Sequence, residues 1–321
     1  MTGRGRSPQR VQRRRMPMFG DDDRRIDTRT VILDTADAHR WDAMLFRPRD
    51  ADPARRRVAV MVVHGSVGNY LTGVPRRLAF GIAEAGWSTL AINTRMANYG
   101  PFFGGGLLDR TPLDLDAGIH ALRNRGYTRI VLLGFSMGAT MVTSYQAIRE
   151  PADVVGVATL AHPLSLPQSL RRRWDSFGAE PNYGEMTSLA WQALGRHDSP
   201  ENDRIVVVQR AKGPTDHPEH CEIWTYRTWW HARGPEALNA ESRRWVGILR
   251  VPLAIVQAGA DPLIPVPEGA ELARLARAGG CPAACGQSRR PIARCAPSRV
   301  GTRIQCPRHA AAAAGRDTRW R

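Results

Sequence analysis

A doubly wound α/β fold, a mostly parallel sheet with helices on both faces, is what this sequence predicts, and three observations carry that prediction. Aliphatic runs such as Val58 to Val63 (VAVMVV) are unbroken, as in strands buried on both faces. Segments of helical periodicity separate the runs, as the crossover connections of parallel strands require. The chain has 321 residues, 42% hydrophobic and 24% charged, a globular balance that excludes wholesale disorder, collagen-like repeats and a coiled coil.

Residues 1–25 combine Arg, Pro, Gly and Gln without apolar periodicity and read as a disordered basic leader. Thr28 to Asp37 and Arg40 to Arg49 are rich in β-branched and aromatic residues around a short polar turn, which predicts an antiparallel hairpin. After the Val58 strand, helical periodicity runs from Pro75 to Ala85 and stops at Gly86. Trp87 to Ile92 is a strand, and Asn93 to Leu108 is a glycine-rich loop. Thr111 as N-cap, Pro112 and Asp114 predict a helix that ends at Gly126. Arg129 to Leu133, Val154 to Leu160 and Pro252 to Gln257 read as further strands, with helices over Met137 to Arg149 and Glu271 to Ala278. Residues 26–161 and 251–280 thus form the expected core. Between them, 162–250 holds six of the nine Trp and is expected to be an insertion capping the carboxyl edge of the sheet, where ligands enter such folds. Most of those Trp are expected to build the insertion's own core.

The formal net charge of +16 sits at the ends: residues 1–25 carry net +5 and 281–321 net +8. Forty-five of the 46 basic residues are Arg, Lys212 being the exception. Charge confined to irregular ends predicts solvated tails rather than a nucleic-acid interface. Apolar runs fall far short of the roughly 20 residues of a membrane-spanning helix, and no apolar stretch of signal-peptide length follows the basic N-terminus. The expected setting is cytoplasmic. Cys281, Cys285, Cys295 and Cys306 lack the paired knuckles of a structural zinc site, and His217-Pro-Glu-His220-Cys221 lacks a third ligand cluster. Neither a metal nor a cofactor is expected.

The chemistry concentrates at Gly134-Phe135-Ser136-Met137-Gly138, which follows the strand RIVLL and opens a helix. Glycines at both ends permit a turn tight enough to project the Ser136 hydroxyl above the sheet, and the helix N-terminus aims N–H groups at a developing oxyanion. Upstream, His64-Gly65-Ser66-Val67-Gly68-Asn69 closes another buried strand. With these two motifs the chain, from about Thr28 to Gly280, resembles the serine esterases of the α/β-hydrolase superfamily that carry an HGxxGN-type oxyanion loop. The resemblance implies Ser136 as nucleophile, with the backbone N–H groups of Ser66 and Met137 as oxyanion donors. It implies an acid after the strand that follows the insertion, where Ala258-Gly259-Ala260-Asp261-Pro262 supplies Asp261. His64 is expected to pack beneath the oxyanion loop, and His162 to lie on the active edge of the sheet.

The family's base is a histidine in a loop after one more strand, some 25 to 30 residues beyond the acid. From Cys281 to Arg321 there is no Leu, and Ile292, Val300 and Ile304 are the sole large aliphatics, so no further strand is expected. Such composition predicts an irregular, out-of-frame tail in preference to a natural extension. Beyond Asp261 the sequence has one histidine, His309. The sequence-level reading is therefore a hydrolase of small-molecule carboxylic esters acting through an acyl-enzyme. The alternatives are a folded hydrolase lacking its base, and a nucleic-acid-associated protein using its Arg-rich ends.

Overall fold

The computed structural model describes residues 25–288, apart from 67, 72, 101–102, 195–199, 211–220 and 262. The leader to residue 24, His217, His220 and the tail with His309 lie outside the described residues.

The chain opens with the hairpin β1 (Ile26–Asp34) and β2 (Arg40–Pro48), paired antiparallel from Ile26 opposite Pro48 to Asp34 opposite Arg40. Val31 and Leu33 on one strand and Trp41, Ala43 and Leu45 on the other are buried, the period-two pattern of a half-buried pair. Then come β3 (Val58–Val63), α1 (Gly73–Glu84), β4 (Ser88–Ile92), α2 (Thr111–Arg123), β5 (Arg129–Phe135), α3 (Met137–Arg149) and β6 (Val154–Leu160). An insertion follows: α4 (Leu166–Phe177), β7 (Ala179–Glu180), α5 (Tyr183–Leu194), β8 (Ile205–Arg210), β9 (Cys221–Thr225), α6 (Tyr226–Arg233) and α7 (Ser242–Val246). The chain returns to the core with β10 (Leu253–Ala258), α8 (Val266–Ala278) and β11 (Ala283–Ser288).

Eight strands form one sheet in the order β1-β2-β4-β3-β5-β6-β10-β11, antiparallel at the hairpin and parallel from β4 onward. The central strands are buried on both faces, as their unbroken aliphatic runs require. Ala79 and Ala83 of α1 cover one face with Val62 and Ala91, while Leu115, Ile119 and Leu122 of α2 pack with Met61 and Leu132 in the larger core on the other. The second sheet, β7-β8-β9, is antiparallel and belongs to the insertion. There Tyr183 stands between Trp174 and Trp229, with ring centroids 6.3 and 5.3 Å away, and both Trp are buried. Trp191, by contrast, is 60% exposed. Helix α7 packs back on α3 and α8, and Thr140 and Ser242 share a 2.9 Å hydroxyl contact.

Two expectations are corrected. Thr111 is the first residue of α2 rather than its cap; Arg110 precedes it without a capping side chain, and the Thr111 hydroxyl donates 2.7 Å back to the Leu108 carbonyl, closing the preceding turn. The larger correction is β11, formed by Ala-Ala-Cys-Gly-Gln-Ser where composition predicts irregular chain. It pairs in parallel with the whole of β10, from Leu253 opposite Ala283 to Ala258 opposite Ser288. Packing against α8 and the open edge of β10 impose the strand on residues of low β propensity.

Candidate functional site

Strand register brings the motif residues to one edge of the sheet. Val63 lies opposite Gly134, Phe135 opposite Leu160, Leu160 opposite Val256, and Ala258 opposite Ser288. The loops that follow β3, β5, β6 and β10 therefore leave the same carboxyl edge side by side, carrying Ser66, Ser136, His162 and Asp261, and β11 ends at that edge with Ser288. Ser136 and Asp261 follow strands two places apart, roughly 10 Å at the usual spacing. A third side chain is needed to connect them.

Ser136 adopts φ 54° and ψ −120°, a strained backbone for a residue with a side chain, between the last residue of β5 and the first of α3. The turn closes only because Gly134 and Gly138 lack side chains. A Cβ on Gly134 would stand 2.3 Å from the Gly138 carbonyl oxygen, and one on Gly138 2.4 Å from that of His64. The Ser136 N–H is anchored to the Leu160 carbonyl at 2.9 Å. Met137 opens α3, so its N–H has no acceptor within the helix and remains available to an anion. Gly65 meets the elbow from the other side: a Cβ on it would stand 3.0 Å from Ser136 Cβ.

The loop after β3 is held from beneath. His64 is fully buried, and the Thr94 N–H donates to its Nε2 at 3.2 Å, so its proton resides on Nδ1, 2.8 Å from the Gly65 carbonyl. Burial pulls the His64 pKa down to about 4, keeping the ring neutral; its place is structural. Farther along, the Tyr70 N–H donates to Asn93 Oδ1 at 3.1 Å, Asn69 Nδ2 to Asn98 Oδ1 at 2.8 Å, and the Asn98 N–H to the Gly68 carbonyl at 3.0 Å. Asp42 accepts the Tyr70 and Tyr99 hydroxyls and Asn93 Nδ2 at 2.7, 2.9 and 3.0 Å. Burial raises the Asp42 carboxyl, but these hydrogen bonds outweigh it and hold the group below its ordinary pKa.

On the other side, Asp261 Oδ1 accepts the N–H groups of Leu263 and Ile264 at 2.8 and 3.2 Å, fixing the carboxylate in the turn after β10. The His162 N–H donates to Gln257 Oε1 at 2.9 Å and its Nδ1 lies 3.2 Å from Thr159 Oγ1, while Nε2 is buried without a partner. Its pKa is pulled by burial to about 3. His162 therefore lies at the carboxyl edge of the sheet but is sealed by burial, which keeps its ring neutral. The chain leaves β11 beside the Asp261 turn, with the Gly259 N–H 2.8 Å from the Ser288 carbonyl. The region after Ser288, where the family's base is expected, lies outside the described residues together with His309.

A cavity of about 250 Å³ lies between the loop after β4 and the insertion, lined by Met96, Asn98, Phe103, Ile223, Trp224 and Thr228 among others. Sequence reasoning missed Arg233, the last residue of α6. Its Nη2 donates to Ser66 Oγ and lies 3.8 Å from Met137 Sδ, and its guanidinium stands 5.8 Å from the Trp224 ring centroid. Nothing local in His231-Ala-Arg-Gly-Pro235 signals this, because the contact joins residues 167 positions apart. Among the described residues no group of three His, Cys, Asp or Glu could hold a metal, and no helix is long and apolar enough to cross a membrane.

No family model matches the chain, and no curated protein matches its sequence. Solved structures do match its fold. An esterase from Pyrococcus furiosus superposes with a TM-score of 0.55 at 15% identity, over 82% of each chain. The esterase domain of a Rhodothermus marinus protein gives 0.50 at 17% identity, over 81% of this chain and 87% of that one. An acylaminoacyl peptidase from Pyrococcus horikoshii gives 0.51 at 13% identity, over 83% of this chain and 37% of the other. The fold is that of the α/β-hydrolases.

Proposed function

We propose that the chain is a serine hydrolase of small carboxylic esters. The observation that carries this reading is the backbone of Ser136, strained at φ 54° between a strand and a helix N-terminus and closed by two glycines that admit no side chain. Such strain persists only where its surroundings over-determine it, and it clusters at functional sites. In the proposed reaction Ser136 Oγ attacks the ester carbonyl carbon, its proton passes to a base, and the carbonyl π electrons move onto oxygen. Backbone N–H groups of Ser66 and Met137 receive that charge. Collapse expels the alcohol, which takes the proton from the base; water then repeats the sequence on the acyl-enzyme and frees Ser136. Asp261 orients the base, and the insertion caps the site.

His309 is the histidine proposed as base. A second reading is favoured by the edge itself: among the described residues His162 is the histidine nearest the acid loop, and it is sealed. On that reading the chain is a hydrolase without its base, and the DNA read in another frame beyond the codon for Ser288 would encode a histidine-bearing loop. The test is labelling with a fluorophosphonate followed by mass mapping of the adduct. We expect modification at Ser136, lost in S136A; adducts chiefly elsewhere, or undiminished in S136A, overturn the assignment. Hydrolysis of p-nitrophenyl acetate, abolished in H309A, would favour the first reading, and slow hydrolysis indifferent to H309A the second.

A further inference from the structure

Arg233 stands out once the site is assembled. It is 4% exposed, and its Nε is buried without a hydrogen-bond partner. Among the described residues no carboxylate pairs with it. Two buried or half-buried acids of the insertion pair elsewhere: Glu222 with Arg173 and with Trp224 Nε1 at 3.0 Å, Glu241 with Ser165 Oγ at 2.6 Å and Arg243 at 2.8 Å. Its remaining acceptor is the Leu166 carbonyl, at 3.4 Å. A buried cation without a counter-charge is costly, and burial lowers its pKa to about 10, which still leaves it charged at neutral pH.

Its position gives that charge a use. Arg233 Nη2 donates to Ser66 Oγ, and Ser66 Oγ donates in turn to Met137 Sδ at 3.4 Å. The guanidinium thus ties together the side chains of the two residues whose N–H groups form the proposed oxyanion hole, one on the loop after β3 and the other at the start of α3. We propose that Arg233 is a positioning residue of this hole, which fixes the spacing of the Ser66 and Met137 donors and supplies the buried positive charge that the tetrahedral oxyanion neutralises. The inference rests on the serine-hydrolase reading above. It also gives the insertion a chemical part in the reaction, since α6 delivers the charge. In a dry site a fixed charge of this kind acts on the transition state far more than on the neutral ester.

Phenylboronic acid tests this without turnover. Its boron accepts a lone pair from Ser136 Oγ to give a tetrahedral anion, the Oγ proton passing to base or solvent, whereas benzyl alcohol is a neutral ligand of similar size. Dissociation constants are measured by calorimetry on the full chain, with folding checked by circular dichroism. We expect R233Q to weaken boronate binding by about tenfold to a hundredfold, from the usual effect of an oxyanion-hole donor, while benzyl alcohol binding changes less than about twofold. R233K, which keeps the charge, should recover most of the loss. S66A, which removes the acceptor of the guanidinium but not the Ser66 N–H, should cost about threefold and carries the test if R233Q does not fold. Boronate binding that requires Ser136 but is unmoved by R233Q, or by S66A where R233Q is unfolded, overturns the proposal and leaves the hydrolase reading standing. Equal losses for the anion and the alcohol also overturn it, in favour of a structural role. Failure of wild type to bind the boronate, or equal binding in S136A, overturns the reading and the proposal together.

Discussion

The two halves of the carboxyl edge are built on opposite principles. Around Ser136 the chain is over-determined: a Cβ on either elbow glycine would overlap backbone, His64 is fully buried beneath the loop, and Met137 is fully buried with Ser66 Oγ donating to its Sδ. Around Asp261 the support is looser. The carboxylate is held by two N–H groups of its own turn, and the neighbouring β11 is an edge strand with no fully buried residue and no large aliphatic side chain. The difference teaches which half tolerates change. A turn that holds a strained backbone must be rigid, whereas an edge strand needs only a ladder to pair with.

The sharpest way to break this contrast is a methyl group at the elbow. Gly138→Ala forces a Cβ to within 2.4 and 2.5 Å of the His64 and Val63 carbonyl oxygens, and these belong to the backbone of β3 and its loop, which cannot yield like a side chain. We expect a loss of about 4 kcal/mol or more in chemical denaturation, together with loss of fluorophosphonate labelling. A variant as stable and as reactive as wild type would show that the elbow is not over-determined.

Acid probes both halves at once, because His64 sits under the elbow and His162 hydrogen-bonds Gln257 of β10. Both have native pKa values below that of an unfolded histidine, about 4 and about 3, so between about pH 6.5 and 4 the unfolded chain binds protons that the native protein refuses. Stability is therefore full above about pH 6.5 and falls as pH drops through that window, each ring contributing of order 3 kcal/mol by pH 4. Denaturation midpoints measured at steps from pH 7 to 4 should fall accordingly, and His162→Leu should flatten the curve. An unchanged slope in that variant would mean that His162 protonates in the native state.

The smallest effect is expected at the edge. Ala284 is exposed in β11, and Ala284→Thr should raise stability by about 0.5 kcal/mol, since a β-branched residue suits an extended backbone. A loss of several kcal/mol there would show that β11 is packed as tightly as the elbow.

Much of this was readable in the residues. The parallel strands announce themselves because a strand buried on both faces must be aliphatic throughout, as in Val58 to Val63. The elbow does so because a turn that tight accepts glycine at Gly134 and Gly138 and little else. Other features have no local signature. Thr111 looks like a helix cap and acts instead as the hydroxyl that closes the preceding turn. The hydrogen bonds that Tyr70, Asn93 and Tyr99 give to Asp42 join three separate stretches of chain.

The tight Ser136 turn and the alternation of strand and helix are written in the residues, because both depend on spacing within a few positions. Only the tertiary structure decided that Ala283–Ser288 is a strand and that Arg233 reaches Ser66 and Met137. A strand of Ala, Cys, Gly, Gln and Ser exists because β10 offers an unpaired ladder, and a guanidinium stays buried because distant elements close around it. Pairing and burial are properties of what lies alongside, and no window along the chain contains them.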